Sequence, residues 1–111
     1  MKIAISSTGK GLKDNINAEF GRCPYFIIAE INDKKLIKFE AIENINANKP
    51  GGAGVSAAQA VAEKGAEAVI TGNMGPRALD VLRQFKIPIY KAEGKIDTAV
   101  KMFIEGKLKK I

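Results

Sequence analysis

The sequence predicts a mixed α/β fold built on one sheet, and three observations carry that prediction. Short runs such as Lys2 to Ser6, Tyr25 to Ile31 and Lys35 to Ile42 are rich in β-branched residues and have the pattern of strands. Three later segments repeat apolar residues at helical spacing instead. Strands come alone in the first half of the chain and alternate with helices in the second, giving the order βββαβαβα. At 111 residues the chain is read as a single domain, 1–111, long enough for one core and too short for two.

The first strand, Lys2 to Ser6, runs into a polar stretch from Ser7 to Glu19 whose length marks it as a functional or mobile loop. Tyr25 to Ile31 is the second strand. Asn32-Asp33-Lys34 has hairpin-turn composition, and Lys35 to Ile42 returns with Ile37, Phe39 and Ala41 on one face and Lys38 and Glu40 on the other, the alternation of an edge strand. After a second polar loop and Gly51-Gly52, a helix is predicted over 53–64, with a small-residue face of Gly54, Ala57, Ala58 and Val61 and a stop at Gly65. Glu67 to Thr71 is nearly continuously apolar, as in a buried parallel strand. Gly72-Asn73-Met74-Gly75 forms the next turn. Pro76 then opens a second helix with Ala78, Leu79, Leu82 and Phe85 as its buried stripe. Pro88 to Lys91 is a fifth strand. Ile96, Ala99, Val100 and Phe103 define a last helix ending near Gly106, beyond which Lys107, Lys109 and Lys110 are expected to form a solvated, frayed tail.

Right-handed crossovers place strands four and five parallel to strand one, while the hairpin makes strand two antiparallel. The expected sheet has five strands in the order 3-2-1-4-5 with helices on both faces, a ribonuclease H-like arrangement. Its topological switch point lies between strands one and four, where ligands tend to bind. Ser7-Thr8-Gly9, Arg22-Cys23, Gly51-Gly52 and Asn73-Met74-Gly75 are all expected at that edge, beside two helix N-termini whose amides and dipoles favour an anion.

Composition narrows the chemistry. The chain has no histidine, which removes the Ser-His-Asp triad, His-bearing zinc sites and H-E-x-x-H metalloproteases. The first strand carries no acid, against two-metal phosphoryl transfer, and an enzymatic role is not expected. A single cysteine, Cys23, fits a reducing compartment, and with no membrane-length apolar run and no signal-peptide pattern the expected location is cytoplasmic. The net charge of +6 favours anionic partners, but few aromatics accompany the lysines, so no nucleic-acid partner is expected.

Phe20-Gly21-Arg22-Cys23-Pro24-Tyr25-Phe26 is the most distinctive segment. A thiolate is a soft ligand for iron–sulfur, copper or molybdenum–sulfur species, and the Arg22 guanidinium would pair with an anionic cluster. A lone cysteine serves equally well as a buried packing residue. Gly51-Gly52 is explained by turn chemistry and only weakly resembles a phosphate-cradling loop. Gly72 to Gly75 fits close ligand approach or a tight turn, and Met74 offers a thioether that more commonly packs beneath a loop.

The Phe20 to Phe26 segment, together with Ile70-Thr71-Gly72-Asn73-Met74-Gly75-Pro76-Arg77-Ala78 and the helix between them, resembles the dinitrogenase iron–molybdenum cofactor biosynthesis family across nearly the whole chain. The resemblance implies non-catalytic binding, storage or transfer of an anionic metal–sulfur cluster, either iron–molybdenum cofactor or an iron–sulfur precursor. It further implies a cluster-donor or acceptor protein as partner and a monomer or weak dimer. Many members carry a histidine just before the Phe-Gly-Arg segment. Glu19 stands there in this chain, which leaves Cys23 as the metal ligand that the resemblance points to. The expected cofactor-binding set is Ser7, Thr8, Arg22, Cys23, Gly51, Gly52, Gly72, Asn73, Met74 and Gly75. A metal-free small-anion or nucleotide sensor using the same crevice is the alternative.

Overall fold

The computed structural model describes residues 1–111. Its elements are β1 (Lys2–Ser7), β2 (Tyr25–Asn32), β3 (Lys35–Glu43), α1 (Ala53–Glu63), β4 (Ala68–Thr71), α2 (Pro76–Gln84), β5 (Ile89–Lys91), α3 (Ile96–Ile104) and β6 (Lys109–Lys110). They form one mixed sheet in the order β3-β2-β1-β4-β5-β6. β1 pairs antiparallel with β2 and parallel with β4, and β4 pairs parallel with β5. The first five strands therefore lie side by side in the expected order, but the expected count was short by one. Lys109 and Lys110 pair antiparallel with β5, and Ile111 N–H donates to the Ile89 carbonyl at 2.8 Å. Leu108 helps to anchor this segment by packing against the core on the α3 side. The segment read as a frayed tail is a strand.

Alternation along the strands builds two cores, one on each face of the sheet. Ala4, Phe26, Ile28, Val69 and Ile89 face α1 and α2, which contribute Ala57, Ala58, Val61, Ala78 and Leu82. Ile3, Ile5, Ile27, Ala29, Ala68 and Ile70 face α3, which contributes Ile96, Ala99 and Val100. No helix is long and apolar enough to cross a membrane.

Two side-chain assignments differ from the periodicity. Phe85 lies just beyond α2 and is exposed, because the chain turns left-handed at Lys86, with φ of 60°, and Ile87 takes the core position. Ile37 and Phe39 are also exposed. Register shifts between Glu30 and Ile31, so Ile37 is an extra residue at a bulge, and Leu36 rather than Ile37 packs with the α3-side core. β3 occupies the sheet edge, as its alternation suggests.

Candidate functional site

The long loop after β1 does not open into a cleft. It folds across the start of α3: Thr8 N–H donates to the Asn15 carbonyl at 3.0 Å, while the carbonyls of Asp14 and Leu12 accept from the Ile96 and Asp97 amides at 2.9 and 3.0 Å. Main-chain carbonyls thereby satisfy α3 donors that every helix leaves unpaired, and Lys13 adds an ion pair to Asp97 at 2.7 Å. Ser7 is buried with its hydroxyl donating to the Gly9 carbonyl at 2.7 Å, and Thr8 Oγ1 accepts from the Asn15 amide. Neither residue lines the groove described next.

The other three segments converge. Phe20 N–H donates to the Asn73 carbonyl at 3.0 Å, tying the loop before β2 to the turn after β4. Buried Ser6 and Thr71 hydroxyls meet at 2.8 Å, and Ser6 donates to the Asn17 carbonyl, holding the ends of β1 and β4 to the same loop. Two glycines allow the closest approaches. A Cβ on Gly72 would lie 2.8 Å from the Ala18 Cα, and one on Gly21 would lie 2.8 Å from Gly54 backbone atoms. Gly72 thus serves chain packing, whereas Gly51, Gly52 and Gly75 have open space where a side chain would be.

The result is a groove between the starts of α1 and α2, lined by Gly21, Arg22, Gly52, Ala53, Gly54, Gly75, Pro76 and Arg77, continuing past Glu19, Asn73 and Met74. Neither helix start carries a side-chain cap or an acid in its first turn. The first-turn amides of α1, and the Arg77 and Ala78 amides of α2, have no partner within their own helices and leave a partial positive charge at this end of the molecule. Arg77 is exposed and takes part in none of the ion pairs. Arg22 has a second task. Its Nη1 donates to the Ala47 and Lys49 carbonyls at 3.0 and 2.6 Å, which holds the loop leading to Gly51 and Gly52.

Cys23 sits behind this groove with 0% exposure, in the core between the sheet and α1 and α2. Its thiol donates to the Phe20 carbonyl at 3.2 Å. Burial pushes the thiol up to about 12, and hydrogen bonds from the Ser7 backbone and the Asn44 side chain only partly oppose it. Without a metal, the thiol is therefore enclosed and neutral at ordinary pH. Asn44, which carried no signal in the sequence, is the buried organiser of this corner. Its amide donates to the Gly21 and Cys23 carbonyls at 3.2 and 2.9 Å, while its oxygen accepts from the Asn46 amide at 3.2 Å. Arg77 was also missed as a site residue, although it stands directly after the Gly75-Pro76 helix start.

Fold and groove together define a small α/β protein with a basic, amide-lined end to its sheet. Residues 1–106 match the family described as dinitrogenase iron-molybdenum cofactor, and the chain belongs to that family. An uncharacterized protein of Methanocaldococcus jannaschii, MJ0580, is 39% identical over 111 residues, covering 99% of this chain and 91% of that one. Among solved structures, the apo form of the orange protein from Desulfovibrio gigas is 29% identical with a TM-score of 0.92, covering 99% of this chain and 92% of its own. The protein PH0822 is 30% identical with a TM-score of 0.84, covering 100% and 96%. The family connects the chain with cofactor-related proteins of accessory type.

Proposed function

We propose that the chain carries an anionic metal–sulfur cluster, of iron–molybdenum cofactor or iron–sulfur type, in the groove between α1 and α2 and without transforming it. The observation that carries this reading is the pairing of two uncapped helix starts with Arg22 and Arg77 on one open groove. Amides and guanidinium groups bind anionic sulfur and oxygen through charge-assisted hydrogen bonds, and they do so without supplying a nucleophile or a proton. The grip proposed here is electrostatic, with Cys23 as part of the wall's support and Met74 as the one soft side chain lining the groove. The cargo passes between this protein and a donor or acceptor protein, for which a shallow groove is better suited than a sealed pocket.

Tetrathiomolybdate, an anionic molybdenum–sulfur compound with visible absorption, serves as a probe, as does anaerobic addition of iron and sulfide. The wild-type protein and Cys23→Ser should both retain the chromophore through gel filtration. Arg77→Ala should retain it roughly tenfold more weakly, the scale of a lost hydrogen bond to a charged group. Arg77 is the cleaner target because Arg22 also braces a loop. If Cys23→Ser abolishes retention while Arg77→Ala leaves it intact, the cluster sits on sulfur and the groove assignment fails. Stabilisation by inorganic phosphate or nucleotides, with no retention of either metal–sulfur probe, would instead favour a metal-free anion sensor.

A further inference from the structure

β3 is an edge strand of nine residues with one side unpaired, and it displays Ile37 and Phe39 at 56% and 41% exposure. Its hydrogen-bonding direction follows from its neighbours. Asn44 N–H donates to the Pro24 carbonyl at 3.0 Å, one step beyond the Tyr25–Glu43 pair. Hydrogen bonding alternates along an antiparallel pair, so Ile42, Glu40 and Lys38 turn their amides toward β2, while Glu43, Ala41 and Phe39 turn theirs outward. The side chains next to Phe39 are arranged symmetrically, with Lys38 on one side of it and Glu40 on the other, both on the sheet face opposite its ring. Both charged residues are exposed.

We infer that β3 pairs antiparallel with β3 of a second copy, about a two-fold axis at Phe39, to make one sheet across two molecules. In that register Lys38 meets Glu40, twice by symmetry, and Phe39 meets Phe39. The outward amide and carbonyl of Phe39 form the central hydrogen-bonded pair, and no like charges are opposed. Charged edge strands and bulges also discourage pairing in many proteins. Here Lys38 has Glu40 at the mirrored position, so the charges favour this one register. The bulge at Ile37 confines the regular ladder to the residues around Phe39, so the dimer is a weak one that forms at high concentration. None of the groove residues takes part.

Sedimentation of the full chain up to millimolar concentration at low salt tests this pairing. The wild-type mass should rise from 11.9 kDa toward twice that value. Glu40→Lys and Lys38→Glu each put charges of one sign on both sides of Phe39 and should remain monomeric alone, whereas an equimolar mixture should regain a dimer. Circular dichroism reports whether each variant is folded. Should either variant unfold, Phe39→Asp, which sets two carboxylates at the centre of the seam, should remain monomeric in its place. A monomeric wild type, a dimer of either variant alone, or a mixture that stays monomeric overturns the proposal.

Discussion

Cys23 shows how strongly burial controls the chemistry of a single side chain. Below about pH 9 its thiol is neutral in both folded and unfolded chains. Above that, the unfolded chain releases a proton that the folded chain holds until about pH 12. The folded pKa is raised, so this group's contribution to stability is complete below the unfolded value and is lost as pH climbs from about 9 toward 12. At pH 8 the interval from 9.0 to about 12 leaves the folded protein with on the order of 1,000-fold less thiolate. Alkylation by iodoacetamide should accordingly be slower by roughly that factor in the native protein than in denaturant, and Cys23→Ala should flatten the decline of stability above pH 9. Equal native and denatured alkylation rates would mean that the thiol is open to ligands after all.

At the scale of the element, all three helices end in the same way. Ala66 N–H reaches back to the Val61 carbonyl, Ile87 to Leu82, and Lys107 to Met102, in each case around a residue with positive φ. For α1 and α3 that residue is Gly65 or Gly106, whereas for α2 it is Lys86. A β-carbon in the left-handed region costs roughly 1–2 kcal/mol, which glycine avoids while losing more chain entropy on folding. Lys86→Gly should therefore stabilise the protein by about 0.5–1 kcal/mol, read as a higher denaturation midpoint with an unchanged slope. Glycine at two of these stops made the ends of α1 and α3 legible in the sequence. The end of α2 was less so, because apolar spacing alone extends the helix to Phe85 while the left-handed lysine turns that ring to solvent.

For the molecule as a whole, charge is the long-range property that bears on function. The net charge of +6 includes Arg22 and Arg77 at the groove, where two helix dipoles add to their field. Raising salt from about 50 to about 500 mM shortens the screening length several-fold and should weaken tetrathiomolybdate retention progressively. Arg77→Ala should show a shallower salt dependence, since one screened charge is gone. A retention curve that salt does not move would point to coordination by a neutral soft donor rather than to an electrostatic grip.

The order of the first five strands, the antiparallel hairpin and all three helices could be read from the sequence, because they rest on local periodicity, turn residues and the handedness of crossovers. So could the meeting of Arg22, Gly52, Asn73, Met74 and Gly75, since topology alone brings those loops to one end of the sheet. Tertiary structure decided which neighbours each group met. It diverted Ser7 and Thr8 to the start of α3, enclosed Cys23 behind the groove, gave Asn44 three backbone partners and made Lys109 and Lys110 a strand. Those outcomes depend on contacts between residues far apart in the chain, and pattern within a short window carries no information about them.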